Sequence, residues 1–558
     1  MSVSELEPGL APGDGVVADP HPLGLYEVFE GRLGPGELLE SVRSVLDRSV
    51  LDAGAGDPAR AGTVVAHGPD ACTVRLDGAR VDVRSRLLPH RGPGTLDPVV
   101  GDPGEQQVLL SVSGPLTDAV RTLFDALTED LRQRTRCYTD AEIASIVAGM
   151  PLVERYATPE PALSGWALVF RDHYVENSVG FLLGMERAGV DPAWIYALSK
   201  GDRTAHRDRV HAWFLRRGYR SDVLDNSVIN GTATEAERGH ALAVDARVAD
   251  FVRRAHAAGR KVLVIDDGGL LAQGYGTDGG PSERVDAAIE LTVSGLKRIA
   301  AAPGQLAVPV LNMARSRLKS RLGYNEIADS CIRRLRAIVP GEKFIGRHVL
   351  LLGYGTLGTR AAHALRALGC RVSVVDTDVL ALITAAEDGF DTHRTVAEAL
   401  AHRVPFLVVG SSGGTAIAAR DVPLLPDGVL LAGFATKDFA VLTDGHREAR
   451  ATEIPHVGVV YALPHGATVT VLGDGRSLNL FEYEGIANRG YDAYRAGTLL
   501  AAKELCRDLG RFPAGVHLEP VDRIVDEAGL FEAYYARYLA SGRCFPAVLE
   551  HGGDHDAR

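Results

Sequence analysis

The chain has 558 residues, 46 % of them apolar and 24 % charged, enough for more than one domain with a real core. Sixty basic against 72 acidic side chains leave a formal charge of −12, which excludes a nucleic-acid backbone as the main partner. No run reaches the roughly 18 apolar residues of a membrane span, and the opening "MSVSELEPGLAPGDG" does not read as a signal peptide. The six cysteines (Cys72, Cys137, Cys331, Cys370, Cys506 and Cys544) never form a CxxC pair, so reduced thiols in a cytoplasmic protein are expected.

The first 20 residues carry Pro, Gly and Asp without periodicity and read as a mobile segment. "LGPGELLESVRSVLDRSVLD" has helical spacing. "GTVVAHGPDACTVRLDGARVDVRSRLLP" alternates apolar and polar residues around two turn signals, which suggests hairpins closing into a small β-barrel. "TDAVRTLFDALTEDLRQRTRCYTDAEIASIVAGM" returns to helical periodicity. None of this carries a chemical constellation, so residues 1–150 read as an accessory α+β module. From about Trp166 strands and helices alternate: "KVLVIDDGG" and "QLAVPVLNMA" as strands, "SERVDAAIELTVSGLKRIA" and "NEIADSCIRRLRAI" as helical segments. That alternation predicts a parallel, doubly wound sheet, with a second one after Gly346. The expected division is 151–335 for the first part of a substrate domain, 336–487 for a nucleotide-binding domain inserted in it, 488–545 for a helical part that completes the first, and 546–558 for a tail.

The strongest motif is "HVLLLGYGTLGTRAAHALRALGCRVSVVDTD". A buried strand runs into Gly353-Tyr354-Gly355-Thr356-Leu357-Gly358, a helix follows, and a second strand ends in Asp376, 18 residues beyond Gly358. The first glycine permits the tight turn, the second lets backbone approach a pyrophosphate, and the third lets helix and strand pack closely. The backbone N–H groups of Thr356 and Leu357 begin the helix and would face the phosphates. An acid at the second strand's end bonds ribose hydroxyls and repels a 2′-phosphate, so the expected cofactor is NAD. "PFLVVGSSGGTAIA", with Ser411, reads as the later strand and loop on the nicotinamide side.

With these motifs in order, the sequence from about residue 165 to about 530 resembles the S-adenosylhomocysteine hydrolases. "IDDGG" (Ile265 to Gly269), "IELTVSGL" (Ile289 to Leu296), "VPVLNMARSRLKSRLGYNE", "RDHYVENSVGFLLGMERAG" and "LGDGRSLNL" each match a segment of that family. The resemblance implies a borrowed-hydride cycle: a ribose 3′-hydroxyl is oxidised, the 4′-hydrogen becomes acidic, a 5′ group is eliminated, water adds, and the ketone is reduced again. It places Lys319 at the 3′-hydroxyl as base, and Asp267 and His173 as acid or base at the 4′ and 5′ positions. It places Thr292, Ser294 and Asn325 against NAD, Asn479 near the nicotinamide carboxamide, and Glu290 and Asn177 in the substrate pocket. A homo-oligomer handling a nucleoside-like small molecule is the implied assembly, and no metal is implied.

The departures are as informative. A glutamate of the family's sugar-binding segment falls on Leu291, and the aspartate after its lysine falls on Gly323. Its Gly-His-Phe reads Gly433-Phe434-Ala435, and a threonine and glutamate of its adenine-binding helix become Val175 and Asn177. Its Met-Gly-His-Pro loop is replaced by "YEGIANRG", and this sequence ends "LEHGGDHDAR" where the family has a Lys…Tyr tail. A site stripped of such groups loses its original ligand by orders of magnitude, so a substrate other than S-adenosylhomocysteine is expected. A non-catalytic NAD-bound regulatory protein and a net NAD-dependent dehydrogenase remain as the other readings.

Overall fold

A computed structural model describes residues 25–540, apart from 32, 34, 35, 53–61, 88–105, 203, 225–234, 274–283, 303, 436, 444–449 and 455. The expected mobile first segment and the tail from 546 lie outside the described residues. The chain divides into two compact units, Met1–Thr139 and Asp140–Arg558.

The first unit holds strands β1 (Tyr26–Gly31), β2 (Thr63–Gly68), β3 (Ala71–Leu76), β4 (Ala79–Leu87) and β5 (Gln106–Ser113), with helices Glu37–Asp52 and Asp118–Arg136. The strands pair in the order β1-β5-β4-β3-β2, all antiparallel. Among the described residues β1 and β2 are therefore edges, and the sheet is open where the sequence suggested a closed barrel. The alternation is real, since Val74, Val81, Val83, Val108 and Leu110 are buried. The two helices supply Val42, Val45, Leu123 and Leu127 to the same core. A sheet whose apolar face is already covered by helices gains nothing from closing on itself.

The second unit contains two sheets, one parallel and one mixed. The first runs β20-β11-β10-β9-β6-β7-β8, built from β6 (Trp166–Asp172), β7 (Ile195–Ser199), β8 (Arg220–Val223), β9 (Lys261–Asp266), β10 (Ala287–Glu290), β11 (Pro309–Asn312) and β20 (Gly515–His517). The second runs β14-β13-β12-β15-β16-β19-β18-β17, with β12 (His348–Leu352), β13 (Arg371–Val375), β14 (Asp391–His393), β15 (Leu407–Gly410), β16 (Val429–Gly433), β17 (Arg450–Ile454), β18 (Gly458–Ala462) and β19 (Thr468–Leu472). It is parallel as far as β19 and antiparallel for β18 and β17. Its faces are covered by separate cores, as expected for a doubly wound Rossmann sheet. This is the expected α/β class, with the Rossmann sheet inserted in the chain of the first.

Two expected boundaries shift. Helix Asp140–Ala148 belongs to the second unit, not to the accessory module. Its Ile146 and the following Met150 press on Gly180 of helix Glu176–Ala188, where an added Cβ would sit 2.4 Å from Met150 Sδ. Helix Tyr324–Ile338 packs Cys331, Leu335 and Ile338 into the core of the Rossmann sheet, so that sheet's domain begins before residue 336.

Candidate functional site

The strands of the first sheet end together and bring Asp172, Ser199, Asp266, Glu290 and Asn312 to one edge. The crevice outside such carboxyl ends is where open α/β sheets bind ligands. A cavity of about 320 Å³ lies there. Lys319, Asp267, His173, Asn177, Thr292 and Ser294 line it from the first sheet's side, and Thr356, Leu357, Ser411 and Asn479 from the Rossmann side. Residues expected to handle substrate and residues expected to handle NAD thus share one space.

Lys319 opens a single π-helical turn, Lys319–Gly323, and is 6 % exposed. Gly323, where a family aspartate was expected, packs on the lysine stem: a Cβ there would meet Lys319 Cδ at 3.0 Å. The ammonium has exchanged a carboxylate for aromatic company. It bonds Tyr491 Oη at 2.5 Å and lies 4.3 Å from the Tyr494 ring centre and 6.0 Å from that of Tyr324. Such faces stabilise a cation modestly, but burial outweighs them and lowers the lysine from 10.5 to about 8, against the pull of Asp267 and Asp172.

The two aspartates of "IDDGG" have different work. Asp266 accepts from Leu270 N and faces the buried Arg171 guanidinium at 3.4 Å, so it shapes the turn beneath the cavity. Asp267 faces the cavity and accepts from Lys200 Nζ, with His173 Nε2 at 3.8 Å. Burial alone would raise Asp267, yet the Lys200 ammonium holds it well below the usual carboxylate range. In this arrangement the Asp267 carboxylate is a hydrogen-bond acceptor facing the cavity. His173 Nδ1 lies 2.5 Å from Asp202 Oδ2. Asp172, His173 and Asp267 cluster closely enough for a cation, but Arg495 and Lys200 already sit on the two carboxylates.

Three of the expected substrate or cofactor residues are bonded to other parts of the chain. Glu290 lies behind the cavity, where its Oε1 accepts from Thr292 N at 2.8 Å and Thr292 Oγ1 at 2.7 Å. Burial and then Asp266 push it well above the usual range, and its bonds to Thr292 brace this turn. Asn177 lines the cavity, but its amide donates to Ile486 O at 2.9 Å and accepts from Arg495 Nε at 2.9 Å, which engages both ends. Asn325 stands outside the lining, tied to Arg321 O and to Arg360.

The glycine-rich turn fits a dinucleotide. Gly353 has φ +96°. A Cβ on Gly358 would lie 2.0 Å from Gly353 O, whereas one on Gly355 would meet nothing within 4 Å. The third glycine is thus needed for packing, and the second leaves open space in front of the turn. Helix Thr356–Ala367 starts without a side-chain cap, so its first amides are available to phosphate. Asp376 follows β13 and accepts from Tyr354 N at 2.6 Å, which holds it against the turn. Ser411 donates to Gly353 O at 2.8 Å and so braces the same turn.

Lys200, Asp202, Tyr491, Tyr494 and Arg495 were missed in the sequence. Lys200 directly follows the last residue of β7, so recognising "IYALS" as a strand would have placed it at the active edge. Tyr491, Tyr494 and Arg495 sit at i, i+3 and i+4 of helix Asn488–Arg507, a spacing that puts them on one face.

A family model for the S-adenosyl-L-homocysteine hydrolase NAD binding domain matches residues 326–485. Adenosylhomocysteinase of Aeropyrum pernix is 28 % identical over 284 residues, 48 % of this chain and 65 % of that protein. Its counterpart in Saccharolobus solfataricus is 29 % identical over 245 residues, 42 % and 56 % of the two chains. That of Gloeothece citriformis is 26 % identical over 275 residues, 47 % and 61 %. The chain thus spans 56–65 % of the length of these curated relatives. Among solved structures, a transhydrogenase from Sinorhizobium meliloti is similar over 63 % of this chain and 97 % of its own at 13 % identity and TM-score 0.33. The dipicolinate synthase A chain from Bacillus subtilis is similar over 61 % and 96 %, at 13 % identity and TM-score 0.31.

Proposed function

We propose that this chain, a divergent member of the S-adenosylhomocysteine hydrolase family carrying that family's NAD-binding domain, oxidises a secondary hydroxyl of a nucleoside- or sugar-like small molecule. The observation that carries this reading is Lys319: a buried lysine, lowered to about 8, in the same cavity as Thr356, Leu357 and Ser411 of the cofactor turn. Bound NAD supplies an acceptor for the hydrogen and electron pair of a carbinol carbon.

The chain's own residues do the rest. The first amides of helix Thr356–Ala367 and the open face of Gly355 hold the pyrophosphate, and Asp376 holds the ribose. Lys319, in its neutral form, takes the proton from the substrate hydroxyl and keeps it as an ammonium that donates to Tyr491 Oη, the group it already bonds. Asp267, held in place by Lys200, fixes the far side of the substrate as a hydrogen-bond acceptor. His173 stands beside them as the group able to take a proton from a carbon next to the new carbonyl, the first event of an elimination. Leu291, Val175 and Ile486 replace polar contacts with apolar wall, which favours a substrate other than S-adenosylhomocysteine.

The test is the near-ultraviolet absorbance change of NAD when the purified protein meets a panel of nucleosides, adenosine and S-adenosylhomocysteine included. Lys319→Ala is run beside it. The expected result is a change that requires Lys319 and whose rate rises as pH increases through about 8, where the base loses its proton. NAD bound with no change for any alcohol of the panel would overturn the reading in favour of a regulatory protein.

A further inference from the structure

Lys200 is 6 % exposed and lines the cavity at the end of β7, beside β6. Its ammonium meets two groups: it donates to Asp267 Oδ1 and lies 3.3 Å from His173 Nε2. An ammonium has only donors, so the ring nitrogen facing it must present a lone pair. The ring proton then belongs on Nδ1, and Nδ1 is the atom 2.5 Å from Asp202 Oδ2, an acceptor. Two independent contacts, one at each nitrogen, require the same tautomer.

Among the described residues, the other charges around the ring have partners of their own. Asp202 also faces Arg476 at 3.5 Å. Asp172 accepts from His173 N through Oδ1 and from Arg495 through Oδ2. Lys319 stands further along the cavity, bonded to Tyr491. Lys200 is therefore the cation set between His173 and Asp267, and both depend on it for their hydrogen-bonding state.

We propose that Lys200 is a positioning residue of the reaction site: it holds His173 as the neutral Nδ1–H tautomer with its Nε2 lone pair toward the cavity, and pins Asp267 as an acceptor. This rests on reading the cavity as a reaction site, but the tautomer is measurable without turnover. Without Lys200 the ring lies between two carboxylates, Asp202 and Asp267, with no ammonium at Nε2. Asp267 then draws a ring proton to Nε2, and the lone pair toward the cavity is lost.

The experiment is nitrogen-15 NMR of the full-length, NAD-loaded protein labelled at histidine, with His173→Gln to identify the signal. Wild type should show a protonated Nδ1 and a bare Nε2. Lys200→Met should no longer show a bare Nε2 at the same pH, and Lys200→Arg should keep the wild-type state. A wild-type ring protonated on Nε2, or a Met variant with an unchanged ring, overturns the proposal; the first result stands even if the variant fails to fold. On any alcohol that gives an absorbance change, Lys200→Met should lower kcat by about a hundredfold, the size of a lost proton-transfer group, with KM nearly unchanged. A raised KM with unchanged kcat would make Lys200 a binding group and overturn it too. Failure of the wider functional reading would look different: no absorbance change in any protein, with the NMR signature intact.

Discussion

Asp438 shows what a single buried group imposes on this fold. It follows β16 and accepts from Ser412 N at 2.9 Å and Ser412 Oγ at 2.6 Å, so it anchors the loop beside the cofactor turn. Burial lifts it from 3.8 to about 7, only partly offset by those bonds. Between these values the folded chain keeps a proton that the unfolded chain has released. Its contribution to stability is therefore complete below about 3.8 and lost as pH rises through about 7. Asp438→Asn keeps an acceptor for Ser412 and cannot ionise. The expected outcome, read by thermal melts across that window, is a variant whose Tm falls less with rising pH than that of the wild type. Equal slopes would mean that Asp438 does not titrate there. Nothing in the sequence marks this residue, because "GFATKDF" carries no signal of depth. Lys319 was legible through its motif, yet its tyrosine partners were not, because they come from a helix more than 150 positions away.

At the level of elements, strand, turn, helix, strand and acid were readable from "HVLLLGYGTLG" onward because local patterning alone specifies them. β20 was not, since three residues of "GVH" have no periodicity, and only pairing with β11 makes them a strand. The surroundings of Asn325 were hidden for a similar reason: the family resemblance places it against NAD, and only the folded chain shows that it follows the π-helical turn at 319–323 and bonds Arg360. The glycines of the turn give a paired prediction. Gly358→Ala puts a methyl 2.0 Å from Gly353 O and 2.7 Å from Ser411 Oγ. It should cost about 1–3 kcal/mol of stability and weaken NAD binding with it. Gly355→Ala meets no protein atom, so its melt should be unchanged while NAD affinity, measured by calorimetry, falls at least about tenfold. If both variants melted alike and bound alike, the turn would not be the pyrophosphate site.

For the molecule as a whole, the cores say where the chain can be cut. Residues Leu33 to Leu131 form a core of their own, and the cores of the second unit draw on residues from Ala167 onward. The accessory module was legible as separate because it lacks the strand–helix alternation, but its end was placed 11 residues late, at 150 instead of 139. The reason is that a helix's periodicity shows that it has an apolar face and not what that face covers. Helix Asp140–Ala148 covers Gly180 with Ile146, and its Glu142 is paired with Arg209 through two bonds of 2.7 Å. A chain starting at Asp140 should therefore fold and bind NAD as the full protein does. One starting at Pro151 loses the burial of Ile146 and Met150, about 1.5–3 kcal/mol each, and leaves Arg209 without this partner. Its expected thermal midpoint lies several degrees lower, and its NAD affinity changes little, since the contacts of that helix with Gly180 and Arg209 lie in the part of the chain that builds the first sheet. Equal melting of the two truncations would place the boundary at 150 after all, and loss of NAD binding in the longer one would show that the first unit takes part in the site.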